Sequence, residues 1–449
     1  MVAAAVAIAQ YLAEGPRWQM VPAYVLSGFF LLLWLRQYMV HQRVVATRSS
    51  AVHRVVAAIA ISLGTLVIAL AAALPAMIPV FRFPPPTGPY GIGTVIYHWH
   101  DDTRPEIVTA DPGDKRELMV QVWYPARKGA APGGASYANG ADFTALARLM
   151  HLPPFFFDHL RYVTTNAEPS AAMADEPARF PVLIFSPGRG GYRGNSTFLV
   201  EWLVSHGYVV AGIDHPYTVV DVAFPDGRHV ALDRRIARHV HDEKSDPFME
   251  AVYHQIGADA VFVLRQLGAL DEADPNGPLN GRLDLQRAGM LGTSLGGIAT
   301  AEACRLEPRL RACLPIDVAM PHSVVDSGLQ QPTMWITGTE ESKRREGWTP
   351  SSIREHMNTM RAVFTRLPAD GYLVTVATMF HPDIGDTPYI VPPPLGTAMN
   401  AVGQADWRRT HAIINAYSLA FFDKYLQGSS EPLLDTPAQA YPEVRLERR

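Results

Sequence analysis

Two textures of apolar positions divide the chain. Val21–Val40 and Val55–Val80 are long apolar runs, each long enough to cross a bilayer, which needs roughly 20 residues. From Arg82 onward the apolar runs become short. FPVLIFSPG, YVVAGIDHP, AGMLGTSLGG, ACLPIDVA, PTMWITGT and YLVTVATMFH each end in polar or glycine-rich residues, and LMVQVWYPA alternates as a strand does. Helical patterns such as EWLVSHG, DAVFVLRQL and MNTMRAVFTRL separate most of them. Alternation of this kind predicts an α/β domain with a mostly parallel sheet covered on both faces. The proline-rich FRFPPPTGPY cannot continue a helix, so it marks the boundary between an anchor over 1–81 and a globular domain over 82–449. The spans are expected at about 21–40 and 55–80. Val2–Leu12 is short for a span, and an interfacial helix and a third crossing both stay open.

Charge sharpens the first half of this picture. No acidic residue occurs between Glu14 and Asp101, whereas Arg36, Arg43, Arg48 and Arg54 crowd the link between the two runs. By the positive-inside rule the link is cytoplasmic. The expectation is a multi-pass protein of the cell membrane with its globular domain on the extracytoplasmic side. A net charge of −4 and a pI near 6.5, without a basic block in the globular part, argue against a nucleic-acid partner. Cys304 and Cys313 are the only cysteines, too few for a disulfide scaffold or a cysteine metal site; two core thiols are expected, with one disulfide between them as the alternative.

The chemistry collects at three strand ends, where open α/β sheets carry their sites. Ser294 stands in GMLGTSLGGIA between Gly292 and Gly296, at a predicted strand–turn–helix junction. Asp317 follows ACLPI, and His381 follows YLVTVATMF. The order serine, acid, histidine is that of an α/β-hydrolase fold. A serine hydroxyl needs an imidazole to take its proton, and the imidazole needs a carboxylate to fix its tautomer. The glycine-rich FSPGRGGYRG follows another strand, which makes the backbone N–H groups of Arg189 and Leu295 the expected oxyanion pair. Asp383 and Asp386 are alternative acids, ranked lower because they share a loop with His381.

The runs ADPGDKRELMVQVWYPA, FPVLIFSPGRGGYRG, SHGYVVAGIDHP, GTSLGG, PIDVAMP and MFHPDIGD together resemble the platelet-activating-factor acetylhydrolase family, of the plasma and isoform II type, over about Pro86 to Leu426. The resemblance implies Ser294 as nucleophile, Asp317 as acid, His381 as base and Gly188–Arg189–Gly190 as the oxyanion loop. It also implies a calcium-independent esterase or lipase for short or oxidised acyl chains of phospholipids, with no cofactor and no metal. Thr293 and Pro187 stand where the family usually has histidine, and PIDVAM lacks the glycine or aromatic residue expected after the aspartate. These departures touch pocket shape and therefore substrate.

Several other features have blander readings beside sharper ones. HWHDD (His98–Asp102) and HVHDE (His239–Glu243) could hold a metal, but solvated loop or strand ends are the expectation. Asp214 and His215 could line the cleft or serve a structural role. The aromatic segment 142–166, with Phe155–Phe157, is a lid candidate against plain helical packing. Polyesters or triacylglycerols are alternative substrates, and a catalytically silent membrane sensor is the non-enzymatic alternative. Head group and oligomeric state are not readable from the sequence.

Overall fold

The structure, a computed structural model, describes residues 2–39, 51–129, 134–138, 143–239, 246–273, 277–391, 396, 406–436 and 439–449. Among the described residues ten strands form one sheet. In chain order they are β1 (Gly91–Pro105), β2 (Lys115–Ala126), β3 (Glu168–Pro169), β4 (Phe180–Ser186), β5 (Val209–Asp214), β8 (Leu283–Thr293), β9 (Leu310–Ile316), β10 (Thr333–Gly338), β11 (Gly371–Val376) and β12 (Val444–Arg448). The remaining two, β6 (Asp221–Ala223) and β7 (His229–Ala231), make a small separate hairpin. The spatial order is β12-β11-β10-β9-β8-β4-β5-β2-β1-β3. The six central strands, β5 to β11, run parallel, and β2 and β12 flank them antiparallel. This is the α/β-hydrolase fold, as the alternation of short runs and helices predicts.

Side-chain alternation explains the layers. Along β4, Val182 and Ile184 point to one face and pack with the helices Pro247–Ala273 and Leu295–Leu306. Leu183 and Phe185 point to the other and pack with the helices Thr197–Ser205 and Trp407–Phe422. Because both faces are covered, β4 is apolar throughout rather than alternating with polar residues. Each such side chain contributes about 1.5–3 kcal/mol on burial. The sheet is therefore a rigid platform whose strand ends can hold groups in place.

One expectation is corrected. Cys304 and Cys313 are not two thiols; they form a disulfide, with Cα atoms 6.6 Å apart. Cys304 lies in the last turn of the helix Leu295–Leu306 and Cys313 lies within β9, so the short reversal between them brings the two side chains together. The sequence spacing of nine gives no hint of this, because it depends on how tightly the helix folds back onto its strand.

At the N-terminus the helices are Val2–Glu14, Val21–Met39 and Ala51–Met77. Apolar stretches of 19 residues, Trp18–Arg36, and 20 residues, Ala58–Met77, are long enough to cross a membrane and are hardly buried by protein. Leu32 and Ile61 are 66% and 69% exposed. The 13-residue helix Val2–Glu14 is about 20 Å long, short of a bilayer core of roughly 30 Å. Of the arginines in the link, Arg43 and Arg48 lie outside the described residues.

Candidate active site

Strand β8 delivers Ser294 to the middle of the sheet edge. The residue has φ 53° and ψ −122°, a conformation that side chains rarely adopt. The elbow needs its glycines. A Cβ on Gly296 would stand 1.9 Å from the Ser186 carbonyl oxygen, and one on Gly292 would stand 2.1 Å from that of Gly296. The Ser294 N–H donates to Ile316 O at 2.9 Å, which ties the turn to β9. Asp317, immediately after β9, also has positive φ, 50°, and its N–H donates to Ile336 O at 2.8 Å. Both residues are thus bent out of the sheet while still laced to its ladder.

The three predicted side chains meet. His381 Nε2 lies 3.0 Å from Ser294 Oγ, and His381 Nδ1 lies 2.7 Å from Asp317 Oδ2. The Glu346 carboxylate accepts the His381 backbone N–H at 2.8 Å. The histidine ring is 28% exposed, so one side of it faces the cleft. Asp317 is fully buried. Burial alone would raise its pKa, but Lys343, the hydrogen bond from His381 and His356 outweigh it and hold the carboxyl well below the usual range. Lys343 Nζ is 2.6 Å from Oδ1, and Thr337 Oγ1 and the Gly338 N–H donate to the same oxygen.

The glycine-rich loop after β4 lies against the nucleophile: a Cβ on Gly188 would be 3.2 Å from Ser294 Cβ. The Gly190 N–H donates to Thr218 O and that of Gly191 to Gly188 O. Among the described residues the Arg189 amide beside them has no such acceptor. The Arg189 guanidinium turns away to the carbonyls of Ile236 and His239. Leu295 opens the helix Leu295–Leu306, and its N–H is one of the donors that no helical turn satisfies.

Two cavities flank Ser294. One, of about 200 Å³, is apolar on one wall, with Leu146, Met150, Phe157, Ile390 and Val391 facing the glycine-rich loop and His381. The other, of about 360 Å³, is lined by Trp348, Thr349, His356 and Ala319. The segment 142–166 is thus a wall of the first cavity. It contains one short helix, Thr144–Leu149, and a 3₁₀ turn, Asp158–Tyr162, rather than a continuous amphipathic helix. Position 142 lies outside the described residues.

The other candidates separate cleanly. Asp386 accepts from the N–H groups of Thr197 and Phe198 and from Tyr137, at the start of a helix, and burial pushes its carboxyl up to about 7. Asp383 accepts from the Phe380 N–H. Neither contacts the His381 ring in the way Asp317 does. Asp214 is buried against the Arg193 guanidinium and accepts the Arg193 N–H, a structural role. His98, His100 and Glu117 have ligand atoms within 4.8 Å of one another. However, Arg228 takes both Glu117 oxygens, at 2.6 and 3.0 Å. The expected solvated strand end is corrected: His98–Asp102 lies within the long strand β1, paired with β2, and Asp101 is buried. Of HVHDE only His239 is described; it lines the larger flanking cavity.

Two features escape sequence reasoning. Lys343 sits in SKRR, which reads as a solvated run, yet it is fully buried on Asp317. The second is a buried serine–histidine–aspartate chain. Ser186 Oγ lies 2.9 Å from His215 Nε2, and His215 Nδ1 lies 2.7 Å from Asp259, whose carboxylate is clasped by Arg116. Ser186 has no exposed surface, so no substrate reaches it. It ends β4 just before the glycine-rich loop and braces that loop from behind.

Comparison with known proteins finds esterases and acetylhydrolases. Residues 79–222 match the family model of platelet-activating factor acetylhydrolase, isoform II. That stretch includes the glycine-rich loop and ends before Ser294. A platelet-activating factor acetylhydrolase of Cavia porcellus is 21% identical over 337 residues, covering 69% of this chain and 72% of that protein. A probable 1-alkyl-2-acetylglycerophosphocholine esterase of Arthroderma benhamiae is 28% identical over 286 residues, 59% of this chain and 65% of that protein. Among solved structures, a ferulic acid esterase from Streptomyces cinnamoneus superposes with a TM-score of 0.64 at 28% identity, over 82% of this chain and 99% of that one.

Proposed function

We propose that this carboxylic ester hydrolase, similar to the platelet-activating-factor acetylhydrolase family, is a membrane-anchored serine esterase that releases short or oxidised acyl groups from phospholipids. The observation that carries this reading is the unbroken relay Ser294 Oγ–His381 Nε2 and His381 Nδ1–Asp317. In this reading His381 takes the Ser294 proton as Oγ attacks the ester carbonyl. The oxygen that gains charge is met by the Arg189 and Leu295 N–H groups. His381 then gives the proton to the leaving alcohol, an acyl-enzyme remains, and water reverses the sequence. Asp317 stays ionised throughout and stabilises the imidazolium.

The smaller cavity supports the short-chain preference. About 200 Å³ beside the oxyanion loop suits a short acyl group and is cramped for a full-length fatty-acyl chain. The larger cavity at Trp348 suits the leaving group. Thr293, whose buried hydroxyl has no partner among the described residues, belongs to the acyl side of the cleft.

Anchoring is supported by the two exposed apolar helices, and the extracytoplasmic placement by the arginines of the link. The disulfide adds an independent argument, because such bridges persist in oxidising compartments. The test is a chain-length series of p-nitrophenyl esters, followed by intact and oxidised phospholipids. Turnover should fall steeply beyond short acyl groups; a preference for long chains would reject the substrate assignment.

A further inference from the structure

A cavity larger than either of those beside Ser294 lies elsewhere in the globular domain. This space of about 550 Å³ sits between the helices Thr197–Ser205 and Trp407–Phe422 and the proline-rich segment 82–87. Its walls are aromatic, with Phe83, Phe198, Tyr389 and Tyr441. Two exposed arginines, Arg82 and Arg408, line it, and among the described residues neither guanidinium has a carboxylate partner. Among the described residues Glu201 is the one acidic residue that lines the cavity, and its oxygens are taken by the N–H and side-chain amide of Asn166, each at 2.7 Å. Burial pushes its carboxyl up to about 8, so it places little negative charge there at neutral pH. A donor and an acceptor, Trp202 Nε1 and Asn415 Oδ1, are buried on residues of this wall without any partner among the described residues. Such atoms are costly unless something meets them.

We propose that this cavity binds an anionic amphiphile, with its phosphate or carboxylate head between Arg82 and Arg408 and its hydrocarbon against the aromatic walls. The Arg408 guanidinium lies 4.3 Å from the Trp407 ring centre, and cations without a carboxylate at the rim of an apolar, aromatic pocket select an anion that carries an apolar body. The location fits as well, since Arg82 follows the apolar helix Ala51–Met77 by only a few residues, which keeps this rim of the cavity near the apolar helices.

The test uses the full chain in neutral detergent, with Ser294→Ala so that no probe is hydrolysed. Isothermal titration calorimetry with dihexanoylphosphatidylglycerol, oleate and dihexanoylphosphatidylcholine should give saturable binding of an anionic probe, and at least about tenfold weaker binding of the zwitterion. Binding of the phosphodiester alone identifies a lipid head group, and binding of oleate alone identifies a free carboxylate. The double variant Arg82→Gln/Arg408→Gln should weaken binding about tenfold or more. Ala416→Trp, which fills the cavity and leaves both arginines in place, should abolish it. With Ser294 intact, both sets of substitutions should leave p-nitrophenyl acetate hydrolysis essentially unchanged, so failure here is distinct from failure of the esterase reading. Saturation by neither anion, equal affinity for the zwitterion, or unaltered binding in both variants would overturn the proposal.

Discussion

Lys343 Nζ and Asp317 Oδ1 form a fully buried ion pair, 2.6 Å apart, on the side of the carboxylate that faces away from His381. The lysine ammonium also lies 4.6 Å from the Trp348 ring centre, so one side chain links the acid to the wall of the larger cavity. Its charge keeps Asp317 ionised in a site where burial alone would neutralise it. Lys343→Met should therefore lower kcat by about tenfold or more. The acid limb of the pH–rate profile should move upward, because the carboxyl would then protonate at higher pH. An unchanged acid limb would show that the lysine is only a packing residue.

Among the described residues two serines are hydrogen-bonded to a histidine of a serine–histidine–aspartate chain, and only one is open to the cleft. A fluorophosphonate probe should label Ser294 alone. Ser294→Ala should cut turnover by several orders of magnitude without loss of fold. Ser186→Ala should remain labelled and retain partial activity, because it loosens the oxyanion loop without removing a reacting group. Labelling at Ser186 would overturn the assignment.

His381→Ala should be nearly as damaging as loss of Ser294, since members of one catalytic unit are not additive. Asp317→Asn should abolish most activity, whereas Asp383→Asn should have a small effect by comparison. Asp386→Asn is expected to act on thermal stability more than on kcat, because its carboxyl caps the helix Thr197–Ser205 rather than touching His381. A dead Asp383→Asn beside an active Asp317→Asn would move the acid.

Glu201 gives the fold a pH signature. Its carboxyl ionises at about 8 in the folded chain, well above its ordinary value, because it is buried. The unfolded chain thus releases this proton first as pH rises, and stability should decline from about pH 5 to pH 8 through this group. Thermal denaturation should show Glu201→Gln flattening that decline, with the greatest relative gain near pH 8. Parallel curves for the two proteins would mean that Glu201 is ionised in the native state.

Orientation is checked by reporter fusions. A reporter active only outside the cytoplasm should give signal when fused after Arg449 and none when fused at Ser49. The reverse pattern would overturn the placement of the esterase domain.

Legibility in the sequence follows a simple physical divide. The β8 elbow, the acid after β9 and the histidine after β11 are readable because local backbone demands leave marks: glycine where chains touch, apolar runs where strands are buried. Burial of Lys343, the Ser186–His215–Asp259 chain and the Cys304–Cys313 bridge leave no local mark, because each depends on a partner brought in by the fold. SKRR looks like any solvated run until Asp317 is placed beside it. The segment 142–166 fails for a related reason. Its apolar residues are satisfied by neighbours from several elements, so they need no helical period.

Trp18, from the N-terminal region, donates its indole N–H to Phe156 O at 3.0 Å and packs its ring against Phe155 and Phe156. Ile78, Phe81 and Phe83 join Tyr137 and Phe157 in the same buried cluster, and Phe157 also walls the smaller cavity beside Ser294. A fragment trimmed at the apparent end of the hydrophobic runs would therefore cut through a shared core. It would expose aromatic surface, self-associate in water, and leave the cavity beside Ser294 without part of its outer support. Kinetic constants measured on it would describe a repacked pocket, so the segment from Trp18 belongs in any preparation used to define substrate preference.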